Sequence, residues 1–254
     1  MDAYVVSISE TRRANLIEQL RQVPNVSIHC VDGLRGAALP DVACLALSDN
    51  EGWVKFKGTL GCFLSHVAIW EKIAHSRNIY SIVLEDDTTI FHFDKLLDMV
   101  IPEDADIIFI HNKVSPNPRA IGSINLYPFS AGLSRLEMGD TGLGGYGYIL
   151  TPKGAQKIIA SLQNDLFFGH VDGRLLRYSI SDCDIANLDK GSKLRFEILN
   201  HHNKNRMPAM GILKSYCVAP ALVWVADESI PSIREQLDGV AITTTGKKED
   251  PGAA

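Results

Sequence analysis

Ser81-Ile82-Val83-Leu84-Glu85-Asp86-Asp87 decides the reading of this chain. Four residues suited to a buried strand end abruptly in three consecutive carboxylates. In open α/β sheets, ligands bind beyond the carboxyl ends of the strands, so an apolar strand that delivers acids there marks a site. Adjacent carboxylates repel one another unless a cation or water screens them. Side chains alternate along extended chain, which predicts that Glu85 and Asp87 share a side. Such a pair grips a hard divalent ion through oxygen, and the ion can bridge a diphosphate. The competing reading is a solvated acidic turn ahead of a helix near Phe93.

Outward from this strand the pattern is β-α-β and its continuation. Residues 3–8 read as a buried strand, residues 11–22 as an amphipathic helix with Leu16, Ile17 and Leu20 at helical spacing, and residues 26–31 as a second strand closed by Asp32-Gly33. Residues 34–56 read as irregular connection with one short helix. Residues 59–76 form the strongest helical pattern, and residues 80–84 are the acid-bearing strand. A helix is expected over 93–100 and a strand over 106–110. Residues 113–139, rich in Pro and Gly, read as a long loop or small hairpin over the sheet edge, the type of segment that holds an acceptor. Residues 146–150 read as a strand, and Thr151-Pro152 as the cap and first position of a helix to Leu162. A short helix follows over 171–178, then short strands over 184–188, 194–199 and 216–219. The expected fold class is α/β, with a mixed, mostly parallel sheet flanked by helices. Residues 1–237 are expected to form a single domain and residues 238–254 a poorly ordered, small-residue tail.

Bulk composition narrows the function classes. With 254 residues, 46% hydrophobic and 22% charged, the chain can bury a core without disulfides or a structural metal. The five cysteines are odd in number, dispersed and without a CxxC pair, which argues for reduced thiols. A net charge of -5 forces no basic face, so nucleic acid is not an expected partner. No apolar stretch approaches the roughly 20 residues that span a bilayer. The start Met1-Asp2-Ala3-Tyr4-Val5-Val6 reads as going straight into a strand, so no signal peptide is expected. A cytoplasmic protein is expected, with peripheral contact at the inner-membrane face left open.

Several blocks in order resemble glycosyltransferase family 25, the lipooligosaccharide-biosynthesis glycosyltransferases related to the collagen galactosyltransferases. Gly58-Thr59-Leu60-Gly61-Cys62-Phe63-Leu64-Ser65-His66 with Trp70 precedes Val83-Leu84-Glu85-Asp86-Asp87. The first strand with Arg12-Arg13, Val31-Asp32-Gly33, Gly145-Tyr146-Gly147-Tyr148-Ile149-Leu150 with Gly154-Ala155, and His170-Val171-Asp172 fit the same order. The resemblance spans residues 3 to about 235. It implies a GT-A-like fold, a UDP-sugar donor, a divalent metal (manganese, with magnesium as the alternative) and transfer of galactose or glucose to a saccharide or glycolipid acceptor. Glu85-Asp86-Asp87 then stands where the family carries its Asp-x-Asp metal motif. The outer pair here is Glu-x-Asp, so Asp87 is the firmer ligand and Glu85 is assigned to metal, ribose or water.

The remaining roles follow from what glycosyl transfer requires. A ligand from the second half would close the metal site, and His201 and His202 are the available imidazoles; a polar turn is the alternative. An inverting reaction needs a carboxylate base beside the acceptor. Asp172, after Phe167-Phe168-Gly169-His170, is the first choice and Asp140 the second; helix capping is the alternative for Asp172, and a retaining reaction would need neither. Ser7, Arg12 and Asp32, at the ends of the first two strands, are candidates for uracil, phosphate or ribose. The resemblance places Ser65 and His66 in the donor site, where packing is the competing role, and Asp86 with them. Two other functions use the same acids: a metal-dependent phosphohydrolase, which would need further clustered His and Asp ligands, and a non-catalytic nucleotide-sugar binder.

Overall fold

Strand alternation determines which helix covers each face of the sheet. The computed structural model describes residues 1–47, 56–120, 122–133, 136, 147–163, 170–192, 194–195 and 210–225. In chain order the elements are β1 (Asp2–Ser7), α1 (Glu10–Arg21), β2 (Ser27–Asp32), α2 (Asp41–Leu47), α3 (Lys57–Ala74), β3 (Ser81–Glu85), β4 (Thr88–Ile90), β5 (Ile107–Phe109), β6 (Asn125–Pro128), β7 (Gly147–Leu150), α4 (Pro152–Leu162), α5 (Val171–Ser179), α6 (Asp182–Asn187), β8 (Ser215–Ala219) and β9 (Val223–Val225). Short 3-10 turns occupy Gly36–Ala38, Phe93–Asp98 and Phe129–Gly132.

Seven strands form one sheet in the order β2-β1-β3-β7-β5-β8-β6, and β4 pairs with β9 in a separate ribbon. β2, β1, β3, β5 and β8 run one way; β7 and β6 run against them. The sheet is therefore mixed, with most of its strands sharing one direction, as the sequence pattern predicts. Tyr4, Val6, Val83, Ile107, Phe109, Tyr148 and Leu150 pack on one face against α3, α4 and α5. Ala3, Val5, Ile82, Leu84, Ile108, Ile110 and Ile149 pack on the other, against Leu16 and Leu20 of α1 and Phe93 and Leu96 of the 3-10 turn. Both faces of the central strands are covered, which is why these strands read as continuous apolar runs.

Helix boundaries follow their caps. Ser9 accepts from the Arg12 N–H at the start of α1, and Thr151 accepts from the Gly154 N–H at the start of α4, with Pro152 at the first helical position. The expected helix over 93–100 is a 3-10 turn ending at Asp98. The loop over 113–139 contains β6, which pairs with β8 at the sheet edge, where Pro128 is tolerated because an edge strand has a free side. The expected strand over 184–188 is instead α6: the Ser181 hydroxyl accepts from the Asp184 N–H and the Asp184 carboxylate accepts from the Ser181 N–H, a capping box that fixes a helix. Leu194 and Arg195 are likewise helical, not extended; residues 196–199 of that expected strand lie outside the described residues. All five cysteines are free thiols, with Cys44 and Cys217 buried and Cys30 and Cys183 exposed. No helix among the described residues is long and apolar enough to cross a membrane.

Candidate functional site

Strand register assembles the site at the carboxyl edge of the sheet. Ser7 pairs with Asp32 across β1–β2, and Val6 pairs with Glu85 across β1–β3, so Ser7, Asp32 and Asp86 end in one row. The Ser7 hydroxyl donates to Asp86 Oδ2 at 2.5 Å and accepts from the Ser9 N–H at 2.9 Å. Arg12 Nη1, on the first turn of α1, lies 3.6 Å from Asp86 Oδ1. Arg13, not Arg12, reaches β2: its Nη2 donates to Asp32 Oδ1 at 2.6 Å and to the Ser7 carbonyl at 3.0 Å. Three of the sequence-predicted nucleotide residues and Arg13 thus form one connected group around Asp86.

Strand alternation stops at Glu85, where β3 ends, and Asp86 and Asp87 form a turn into β4. The three acids consequently meet different surroundings. Burial raises the Asp86 carboxyl above its ordinary range, against the lowering influence of Ser7 and Arg12. Asp87 is pushed up to about 7, first by burial and then by the charges of Glu85 and Asp86. Its Oδ1 is buried and has no hydrogen-bond partner among the described residues.

Glu85 faces α3. His66 is fully buried, and its Nε2 lies 3.3 Å from Glu85 Oε1. His66 Nδ1 is 2.8 Å from the Tyr148 hydroxyl, which accepts from Trp70 Nε1 at 2.8 Å. An indole nitrogen only donates, so the Tyr148 hydroxyl accepts from Trp70 and shares one proton with His66 Nδ1. His66 and Trp70 are four apart on α3 and share the face that meets β7. The expected packing role of His66 is seen in its bond to Tyr148, and its Nε2, without a hydrogen-bond partner among the described residues, faces Glu85.

Two donor sets compete for a metal. Cys62, His66 and Glu85 offer ligand atoms within 4.8 Å of one another. A thiol and an imidazole suit softer ions than manganese or magnesium. Glu85, Asp86 and Asp87 offer oxygen alone, and a buried Asp87 oxygen without a partner is the feature a hard divalent cation would satisfy. These acids have the oxygen chemistry for such an ion, while among the described residues only Cys62, His66 and Glu85 bring three ligand atoms within 4.8 Å of one another.

Ser65 is held elsewhere. Its hydroxyl donates to the Gly61 carbonyl at 2.7 Å and accepts from the Leu34 N–H at 2.8 Å, tying the loop after β2 to α3. That approach is close enough to require glycine: a Cβ on Gly61 would stand 2.3 Å from the Leu34 carbonyl oxygen.

Asp172 lies in the first turn of α5 and accepts from the Gly173 N–H at 2.9 Å. The helix cap is His170, not Asp172. The Asp172 charge acts on His111, just beyond β5, opposing the burial and the Lys113 charge that hold His111 down to about 3. β5 runs in the direction of β3, so His111-Asn112-Lys113 ends at the same sheet edge as the acids. This polar triplet was readable by the same signal as β3, an apolar strand ending in polar residues. Asp140, His201, His202 and Phe167-Phe168-Gly169 lie outside the described residues.

The sequence model of the family described as "Glycosyltransferase family 25 (LPS biosynthesis protein)" matches residues 1–168. None of the curated proteins matches the chain. Among solved structures, a Drosophila β-1,4-galactosyltransferase 7 mutant in complex with manganese, UDP-galactose and xylobiose is similar at 8% identity and a TM-score of 0.35, over 89% of this chain and 94% of that one. Apo mouse xyloside xylosyltransferase 1 is similar at 14% identity and a TM-score of 0.31, over 91% of this chain and 85% of that one. Overlaps this low carry no inference about chemistry.

Proposed function

Since the chain belongs to glycosyltransferase family 25, we propose that this transferase moves a hexose, galactose or glucose, from a UDP-sugar to a saccharide or glycolipid acceptor in lipooligosaccharide or related surface-glycan synthesis, with a divalent metal and with inversion. Its mixed sheet flanked by helices is GT-A-like. The observation that carries the proposal is Asp87: a buried carboxyl pushed up to about 7, with one oxygen unpartnered among the described residues, beside two more acids at the carboxyl end of β3. Carboxylates crowded in this way are stabilised by a cation.

Asp87 would hold that ion with Glu85. A divalent ion bound there, manganese or magnesium, supplies Lewis acidity to the diphosphate leaving group. Arg12, 3.6 Å from Asp86, adds positive charge at the same row, and Asp86 is anchored by Ser7. Asp32, mostly exposed and gripped by Arg13, stands where a ribose hydroxyl would be received. Glu85 Oε1 lies 3.3 Å from His66 Nε2, and the hydrogen bonds of Tyr148 and Trp70 hold the imidazole. Asp172 would take the proton from the acceptor hydroxyl as it attacks the anomeric carbon. Asp140 is the second choice for that base, and His201 or His202 for closing the metal site. A cytoplasmic location with peripheral contact at the inner-membrane face fits a lipid-linked acceptor.

Asp87→Asn keeps the volume of the side chain and removes the charge. Its expected effect is loss of manganese-dependent sugar transfer by a hundredfold or more with the circular dichroism spectrum retained. Turnover within a fewfold of the wild type would remove Asp87 from the mechanism.

A further inference from the structure

A cavity of about 350 Å³ lies beside the β4–β9 ribbon, lined in part by Phe91, His92, Lys95, Arg119 and Trp224. Its position is tied to the acids. β4 begins immediately after Asp87, and Thr89 of β4 pairs with Trp224 of β9. At about 3.4 Å per residue, Thr89 is roughly two residues' rise from Asp87, and Trp224 stands one strand spacing of about 4.8 Å to its side. We propose that this groove is a subsite for an anionic sugar of the acceptor, one that carries a carboxylate or a phosphate; its acceptor role rests on the donor-site reading above.

Three features select that ligand. First, Trp224 is half-buried and meets Phe91 edge-on, with ring centroids 6.0 Å apart and planes at 67°. This leaves an indole wall of the kind on which the C–H face of a sugar ring packs. Second, the Arg119 guanidinium carbon lies 5.9 Å from the Trp224 ring centroid. A guanidinium at this distance, the outer reach of a cation–π contact, can present its N–H fork to a carboxylate or phosphate packed against the ring. Arg119 and Lys95 have no carboxylate partner among the described residues, and the Lys95 ammonium donates only to the Gly122 carbonyl at 2.7 Å. Two cations beside an aromatic wall stand out in a chain of net charge -5. Third, Pro118, Ala120 and Ala221 complete the lining with little polarity, so an extended polar ligand gains few partners there. The volume is at the low end for ligand pockets, suited to one or two sugar rings and small for a nucleotide-sugar.

The test is an NMR titration of the full chain with glucuronic acid, glucose 6-phosphate, glucose and inorganic phosphate, run beside a separate titration with UDP and manganese. Glucuronic acid and glucose 6-phosphate are expected to bind at least tenfold more tightly than glucose or phosphate. Exposed Arg119→Gln is expected to weaken both by tenfold or more, and Lys95→Gln to weaken them in the same direction. Equal binding of glucose, equal binding of phosphate alone (a general anion site, such as one for a lipid headgroup), or no effect of Arg119→Gln would overturn the proposal. UDP binding without binding of anionic sugars would sink this subsite alone. Binding of anionic sugars without UDP binding would leave a saccharide site but remove its acceptor role along with the donor reading.

Discussion

Asp87 holds a carboxyl whose proton is retained up to about pH 7, whereas an unfolded chain releases it near the ordinary value of 3.8. The sign follows by linkage. Between those values the folded state binds more protons than the unfolded state, so metal-free stability falls as pH rises, by no more than about 1.4 kcal/mol per pH unit. In chelator, Asp87→Asn is therefore expected to gain stability over the wild type as pH rises from about 4 to about 7, and to lose the manganese-induced rise in melting temperature. Thermal melts at the two pH values, with and without manganese, check both. Tyr148 makes the second argument at this scale. Tyr148→Phe leaves the Trp70 N–H and the His66 Nδ1 without their shared partner inside the core. A loss of about 1–3 kcal/mol in urea denaturation is expected, with changed His66 nitrogen-15 shifts; unchanged shifts would break the link from Tyr148 to His66. The acids were legible because an apolar run ends in them. The chain from Trp70 to Glu85 was not, because His66 and Tyr148 are 82 residues apart and only the packing of α3 on β7 joins them.

Elements with strong local signals were readable: β1, α1, β3, α3 and α4 stand within a residue or two of their expected limits. The failures have local causes too. Ser181-x-x-Asp184 is a capping signature that outweighs the β-branched tint of the residues after it. β4 and β9 are three residues each, too short for alternation to register, and they exist because they pair with each other. Ser65 also joins α3 to the loop after β2, a contact that no local pattern announces. Glycine substitutions separate such a junction from ordinary helix. Gly61→Ala forces the Leu34 carbonyl aside and is expected to destabilise by at least about 2 kcal/mol. Gly173→Ala, in α5 with open space at its Cβ, is expected to be neutral or to stabilise by up to about 1 kcal/mol. Paired thermal melts check the contrast.

At the scale of the molecule, residues 2–85 build the parallel half of the sheet, β2-β1-β3, together with its covering helices α1 and α3. That half carries Ser7, Arg12, Arg13, Asp32 and the acids, and it lies wholly within the 1–168 family match. The later strands insert beside it in a non-sequential order and bring His111 and Asp172 to the same edge. Non-local strand order leaves no trace in periodicity, which is why the first half of the sheet was more legible than the second. The central claim is that this edge holds a nucleotide-sugar through a metal. Its most direct test is release of UDP from a panel of UDP-sugars, with manganese and then with excess chelator, since slow hydrolysis of the donor requires no acceptor. The account expects chelator-sensitive release with one preferred hexose, abolished in Asp87→Asn. Release that ignores chelator, or no release together with no manganese-dependent UDP binding, would contradict it.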